Sequence, residues 1–132
     1  MITGKLYFRD SHLKQMFNRG RCVVPLDVKT LMLTDSLEIT EADRVVIAHN
    51  CSRSTAQKIL ITHGTDTMVT TARYLANEKI EGKTIILTGA MIPYAFGTSS
   101  DGFFNLGSAL AFVQTKPEGV FVVMNGRCYN WD

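Results

Sequence analysis

The sequence is poor in the features that mark a specialised environment. No apolar run in its 132 residues approaches the roughly 18 needed to span a bilayer, and the opening Met1-Ile2-Thr3-Gly4-Lys5 lacks the charged-then-apolar layout of a secretory signal. The three cysteines, Cys22, Cys51 and Cys128, are odd in number, far apart and without C-x-x-C spacing. That excludes a disulfide framework and a zinc site, so they read as buried free thiols. Fourteen basic residues against twelve acidic ones leave a net charge of +2, and the basic residues are scattered singly from Lys5 to Arg127. No nucleic-acid footprint is present. Internal repeats, linkers and low-complexity tracts are absent too. What remains is a chain of ordinary globular composition, read as one domain over residues 1–132, soluble and cytoplasmic, with no membrane or nucleic-acid partner.

Three short β-branched runs stand out: Ile59-Leu60-Ile61, Ile85-Ile86-Leu87 and Val120-Phe121-Val122-Val123. Each is too short for a helix and too uniformly apolar for a half-exposed strand, so each reads as a strand buried on both faces. Between the first two, Met68, Thr71, Ala72 and Leu75 follow helical spacing behind a Thr67 cap, until Glu81-Gly82-Lys83 interrupts. Between the second and third, Phe103, Leu106, Leu110 and Val113 define another helix, stopped by Lys116-Pro117-Glu118-Gly119. Strand and helix in short alternation predict a parallel βαβαβ unit. In the less regular front half, Ser11 to Phe17 fits a short helix and Val23 to Leu33 one strand with a loop. Thr40-Glu41-Ala42-Asp43 has capping-box spacing before another helix.

Each of the three strands ends in polar residues beside glycine: Thr62-His63-Gly64-Thr65-Asp66, Thr88-Gly89-Ala90 and Met124-Asn125-Gly126. Ligands of open parallel sheets bind outside the carboxyl ends of the strands, so these segments are expected to converge on one crevice. The helix start after Asp66 would favour a carboxylate or a developing oxyanion there. Thr65 with Asp66 is the sharpest pair, since a hydroxyl and a carboxylate at such a turn can hold an ammonium, orient a water or take part in acyl transfer. From spacing alone, Asp66 and Thr67 as a plain helix cap is the favoured alternative. His63 reads as a structural histidine bonded to nearby backbone rather than a general base, and Asp35-Ser36 as a turn rather than a ligand contact. Gly97-Thr98-Ser99-Ser100-Asp101-Gly102 has neither the Lys nor the spacing of a phosphate-binding loop and reads as a loop leading into a helix.

Together these segments resemble the L-asparaginase family. Leu60-Ile61-Thr62-His63-Gly64-Thr65-Asp66-Thr67-Met68 with Thr71-Ala72 is similar to the family's second signature, and Leu87-Thr88-Gly89-Ala90-Met91-Ile92-Pro93 to the segment after it. Asp35-Ser36-Leu37-Glu38-Ile39-Thr40 resembles its substrate-contacting D-S-x-x-M/I-T loop, and Ser100-Asp101-Gly102, Asn105-Leu106 and Val122-Val123-Met124-Asn125-Gly126 fall in the family's order. The likeness is closest to short, stand-alone relatives of the family's N-terminal domain.

The resemblance implies an α/β fold of three layers, a mainly parallel sheet flanked by helices in the Rossmann-like or flavodoxin-like manner. It also implies hydrolysis of a small amino-acid amide, asparagine or glutamine. No metal-ligand spacing is present and no cofactor is expected, while loss of a first strand would leave an unpaired sheet edge and an exposed helix face that invite assembly into a homo-oligomer. By the same resemblance Thr65 and Asp66 take the Thr and Asp places of a second catalytic set. Ser36 contacts the substrate carboxylate, and Ala90 offers backbone to the amide. The family's nucleophilic Thr lies in an N-terminal T-G-G-T-I motif, and in each alignment of Met1-Ile2-Thr3-Gly4-Lys5-Leu6-Tyr7-Phe8 that Thr is missing. The Lys completing the second set falls beyond Asp132, and Arg127 cannot replace it as a base because a guanidinium stays protonated. The expectation is therefore a family member lacking its first strand and shortened at both ends. It would be an amidohydrolase by kinship with low activity of its own, or else a non-catalytic amino-acid-binding or scaffold protein, or an incomplete gene product.

Overall fold

A computed structural model describes residues 2–6, 13–30, 39–91 and 100–132. In chain order the elements are β1 (Ile2–Leu6), α1 (Leu13–Arg19), β2 (Leu26–Thr30), α2 (Glu41–Arg53), β3 (Lys58–Thr62), α3 (Met68–Asn77), β4 (Thr84–Thr88), α4 (Gly102–Thr115), β5 (Gly119–Met124) and β6 (Arg127–Asn130). They build one six-stranded sheet in the order β2-β1-β3-β4-β5-β6. The first five strands are parallel, and β6 runs antiparallel to β5. This is the mainly parallel α/β class that the alternating pattern implies.

The three apolar runs are uninterrupted because helices cover both faces of the sheet. Ile59, Ile61, Ile85, Leu87, Val120 and Val122 face one layer with Ile47, Ala48 and Cys51 of α2 and Met68, Ala72 and Leu75 of α3. Leu60, Ile86 and Val123 face the other, with Leu13 and Met16 of α1 and Leu106, Ala109 and Val113 of α4. Alternate residues of each run thus serve alternate cores. Among the described residues no helix is long and apolar enough to cross a membrane.

Several expectations are corrected. A first strand is present: Ile2–Leu6 lies between β2 and β3, with Gly4 level with Val28 and Leu60. Gly4 and Lys5 weaken the apolar pattern there, and the strand's place is set by pairing along both of its edges. Asn125-Gly126 is more than a strand end, because both residues have positive φ (56° and 80°) and the chain folds back as a tight hairpin into β6. In α4 the buried face runs through Gly102, Asn105, Leu106, Ala109 and Val113. Phe103 is 39% exposed and packs beside Gly20 instead. The capping box is as expected, with the Thr40 hydroxyl accepting from the Asp43 N–H while the Asp43 carboxylate accepts from the Thr40 N–H. Thr67 holds the N-cap position of α3 but makes no side-chain cap bond. Of the cysteines, all free, only Cys51 is buried; Cys22 and Cys128 are half-buried.

Candidate active site

The strand order reverses between β1 and β3, and at such a switch point the chains leaving the carboxyl ends of neighbouring strands diverge to opposite faces and open a crevice. β3 and β4 end side by side there, Thr62 level with Thr88, and the His63 N–H donates to the Thr88 carbonyl at 2.8 Å. Backbone approach at this edge is so close that a Cβ on Gly89 would stand 2.2 Å from the His63 carbonyl oxygen and 2.9 Å from Met68 Cε. Only glycine fits. The start of α4 closes in behind, since a Cβ on Gly102 would lie 3.3 Å from Ala90 Cβ. Ala90 is therefore held between the end of β4 and the first turn of α4.

Thr65 and Asp66 follow β3 at this same edge, immediately before α3, with Thr65 half-buried and Asp66 exposed. Among the described residues no side chain or backbone group pairs with the Thr65 hydroxyl or the Asp66 carboxylate. The structure thus brings Thr65, Asp66 and Ala90 to one edge, while Ser36 lies outside the described residues.

Beside this pair, a chain of side-chain hydrogen bonds supports the turn. His63 is completely buried, with Nδ1 2.6 Å from the Gly64 carbonyl and Nε2 2.9 Å from Thr71 Oγ1. A carbonyl only accepts, so Nδ1 carries the proton and donates. Thr71 Oγ1 in turn accepts from Arg44 Nε at 3.0 Å, and Arg44 Nη1 reaches Glu41 at 3.0 Å. Burial holds the His63 pKa below the ordinary 6.5, the Gly64 bond pulls it up in part, and the Arg44 charge pushes it down further. Neutral His63 leaves Nε2 bare, so the Thr71 hydroxyl donates to it. The bonds then run in one direction, Arg44 to Thr71 to His63 to the Gly64 carbonyl, which fixes the turn that carries Thr65.

A second network has no signal in the apolar periodicity of α4, which places Phe103 and Leu110 on the core face and leaves out Asn105. Asn105, completely buried, donates through Nδ2 to the Gly89 carbonyl at 2.8 Å and to Asp101 Oδ2 at 3.0 Å, and its Oδ1 accepts from the Asn125 N–H at 3.1 Å. Asp101 Oδ2 also accepts from the Met91 N–H at 3.1 Å. One amide thereby ties the end of β4, the start of α4 and the β5–β6 turn together. The available sequence signal was an Asn on the inner face of an apolar helix, where a polar side chain persists only if its bonds are made.

Comparison with known proteins agrees with this architecture. Residues 4–130 match the family described as Asparaginase, N-terminal. The chain is 35% identical over 117 residues to L-asparaginase 2 of Escherichia coli K12, covering 86% of this chain and 32% of that protein. It is 42% identical over 74 residues to a glutaminase-asparaginase of Acinetobacter glutaminasificans, covering 54% of this chain and 22% of that one. Among solved structures, L-asparaginase I of Vibrio cholerae superimposes with a TM-score of 0.81 at 27% identity, covering 98% of this chain and 46% of that one. The chain spans a third or less of those two relatives' length and just under half of the solved structure. With a match over nearly all of its length, carried on the same mainly parallel α/β sheet, this chain belongs to the asparaginase N-terminal domain family.

Proposed function

We propose that the chain binds a small amino-acid amide at the carboxyl edge of the sheet and that its chemistry, where complete, is hydrolysis of that amide. The observation that carries this reading is the contrast at the β3–α3 turn. His63, Asp101 and Asn105 spend polar groups on holding backbone, and Arg44 and Thr71 on holding His63, while Thr65 and Asp66 spend theirs on no described residue. A helix cap would use them. In the proposed arrangement Asp66 holds the substrate ammonium, Ser36 and the first N–H groups of α3 hold its carboxylate, and Ala90 presents backbone to the amide. The three free cysteines fit a reducing compartment such as the cytoplasm.

Acyl transfer further needs a nucleophile with a positioned base. A lone Thr65 hydroxyl is weakly reactive near neutral pH. Thr3 is level with Ile59 in β1, three residues and roughly 10 Å short of the carboxyl edge at the usual rise per strand residue. Turnover by residues 1–132 alone is therefore expected to be low, whatever their affinity.

Chemical-shift mapping with L-aspartate and L-asparagine tests the site. Shifts centred on Thr65, Asp66 and Ala90, weakened about ten- to a hundredfold in Asp66→Asn for loss of one charged contact, are the expected result. Shifts confined to the opposite edge, near Lys58, Thr84 and Gly119, would overturn it. An ammonia-release assay tests the chemistry: hydrolysis that vanishes in Thr65→Ala would make Thr65 the nucleophile.

A further inference from the structure

Two hydrogen bonds, one from Asn105 of α4 and one from Asp101 at its N-cap, determine which way the polar groups of Ala90 point. Asn105 Nδ2 takes the Gly89 carbonyl, and Asp101 Oδ2 takes the Met91 N–H. In a trans peptide the C=O and N–H point in opposite directions, and the described residues contain no cis bond. With the Gly89 carbonyl turned to α4, the Ala90 N–H faces away from it. With the Met91 N–H turned to α4, the Ala90 carbonyl also faces away. α4 covers the face of the sheet that holds Leu60 and Ile86, whereas α3 begins on the other face, behind Thr65 and Asp66. Both polar groups of Ala90 are thus aimed toward the side where the Thr65-Asp66 turn leads into α3, and no described residue bonds either of them.

An acceptor aimed into a ligand site distinguishes a carboxamide from a carboxylate. The NH2 of a carboxamide donates to a carbonyl, whereas a carboxylate at neutral pH has no proton to offer and meets the oxygen with repulsion. We propose that Asp101 and Asn105 are positioning residues for amide recognition: by gripping the peptides on either side of Ala90 they fix its carbonyl as an acceptor, which makes the site prefer a carboxamide over the corresponding carboxylate. This rests on the proposed binding site and adds to it the source of its selectivity. Asn105 is locked by all of its bonds, and Gly102 closes on the Ala90 side chain, so the carbonyl is aimed before any ligand arrives.

The test is the ratio of L-asparagine to L-aspartate affinity, measured by titration of the 132-residue chain at neutral pH. Wild type is expected to favour asparagine. Asp101→Ala releases the Met91 N–H and should weaken asparagine by roughly three- to tenfold, the range for one neutral hydrogen bond, while aspartate binding stays within about twofold. Asp101→Asn keeps an oxygen acceptor and should restore the ratio. Should Asp101→Ala not fold, Asp101→Ser, a favourable residue at this N-cap position and too short to reach Met91, reads the same ratio. Equal weakening of both ligands, or an unchanged ratio in Asp101→Ala and Asp101→Ser, would overturn the positioning role and leave the site standing. A wild-type chain that binds neither ligand would overturn the site itself and the inference with it.

Discussion

Gly89→Ala adds one methyl group, and the structure fixes what that methyl meets. Its carbon would stand 2.2 Å from the His63 carbonyl oxygen, about 1 Å inside ordinary contact, and 2.9 Å from Met68 Cε. The methionine end can swing aside. The His63 carbonyl cannot, because the N–H of the same residue is bonded to the Thr88 carbonyl at 2.8 Å and its ring is bonded at both nitrogens. Relief therefore requires β3 and β4 to part at their carboxyl ends. Overpacking of this kind costs about 1–3 kcal/mol, and a lost buried backbone bond adds about 1. A loss near 3 kcal/mol is expected, which at a urea m-value of about 1.5 kcal/mol per molar lowers the unfolding midpoint by about 2 M. Gly107→Ala is the matched control, since Gly107 lies exposed inside α4 with nothing within 4 Å of its added Cβ. It should gain up to about 1 kcal/mol from helix propensity. A Gly89→Ala chain as stable as wild type would refute the close approach of the two strand ends, and with it the convergence of Thr65 and Ala90.

Ile86, completely buried among Leu60, Leu106 and Val123, should lose about 2–5 kcal/mol on replacement by Ala, read from the same urea curves. Thr71→Val strands both Arg44 Nε and His63 Nε2 and is expected to cost about 3 kcal/mol. Glu41→Gln, at a pair whose acidic partner is 72% exposed, should cost less than about 1, and reversal of that order would refute the buried chain of bonds. The lowered pKa of His63 means that the unfolded state takes up a proton before the folded state does. Stability is thus fully present above about pH 6.5 and declines as pH falls toward the folded value. Unfolding midpoints compared between wild type and His63→Gln from pH 7.5 down to 5 should converge, and a gap that widens with acid would contradict burial of a neutral ring.

The sequence made legible whatever depends on a repeating pattern. β3, β4 and β5 announce themselves as unbroken β-branched runs because both of their faces are buried, and Thr40 with Asp43 announces α2 through two reciprocal bonds. Features that depend on a particular partner were hidden. β1 is assembled around Gly4 and Lys5 by pairing on both edges, which no local preference registers. Arg44 is buried while Val45 and Val46 next to it are about half exposed, an inversion that only the Thr71 hydroxyl explains. Asn105 is marked in the sequence by the family resemblance and by nothing that shows its bonds, although Asn125-Gly126, the turn it binds, carries a strong hairpin signal. At the candidate site, the glycines and strand ends point to the edge that carries Thr65, Asp66 and Ala90 and the resemblance assigns their roles, whereas the bonds made by Thr71, Asp101 and Asn105, 5 to 15 residues along the chain from them, have no local signal.

That division separates two kinds of residue that one edge of a sheet must supply. A group that holds backbone works through bonds already made in the free protein, so its removal is felt as lost stability before any ligand is present. A group that holds a ligand has bonds still to make, so its removal should leave the fold nearly untouched. Asp66 at the start of α3 gains at most about 1 kcal/mol from the helix dipole, and the exposed carboxylate has no described partner to strand. The Asp66→Asn chain should therefore unfold within about 1 kcal/mol of wild type while losing affinity for amino acids, and Thr71→Val should do the reverse in urea. Were Asp66→Asn instead to lose several kcal/mol of stability, the carboxylate would be a structural group after all, and the turn between β3 and α3 would be a cap.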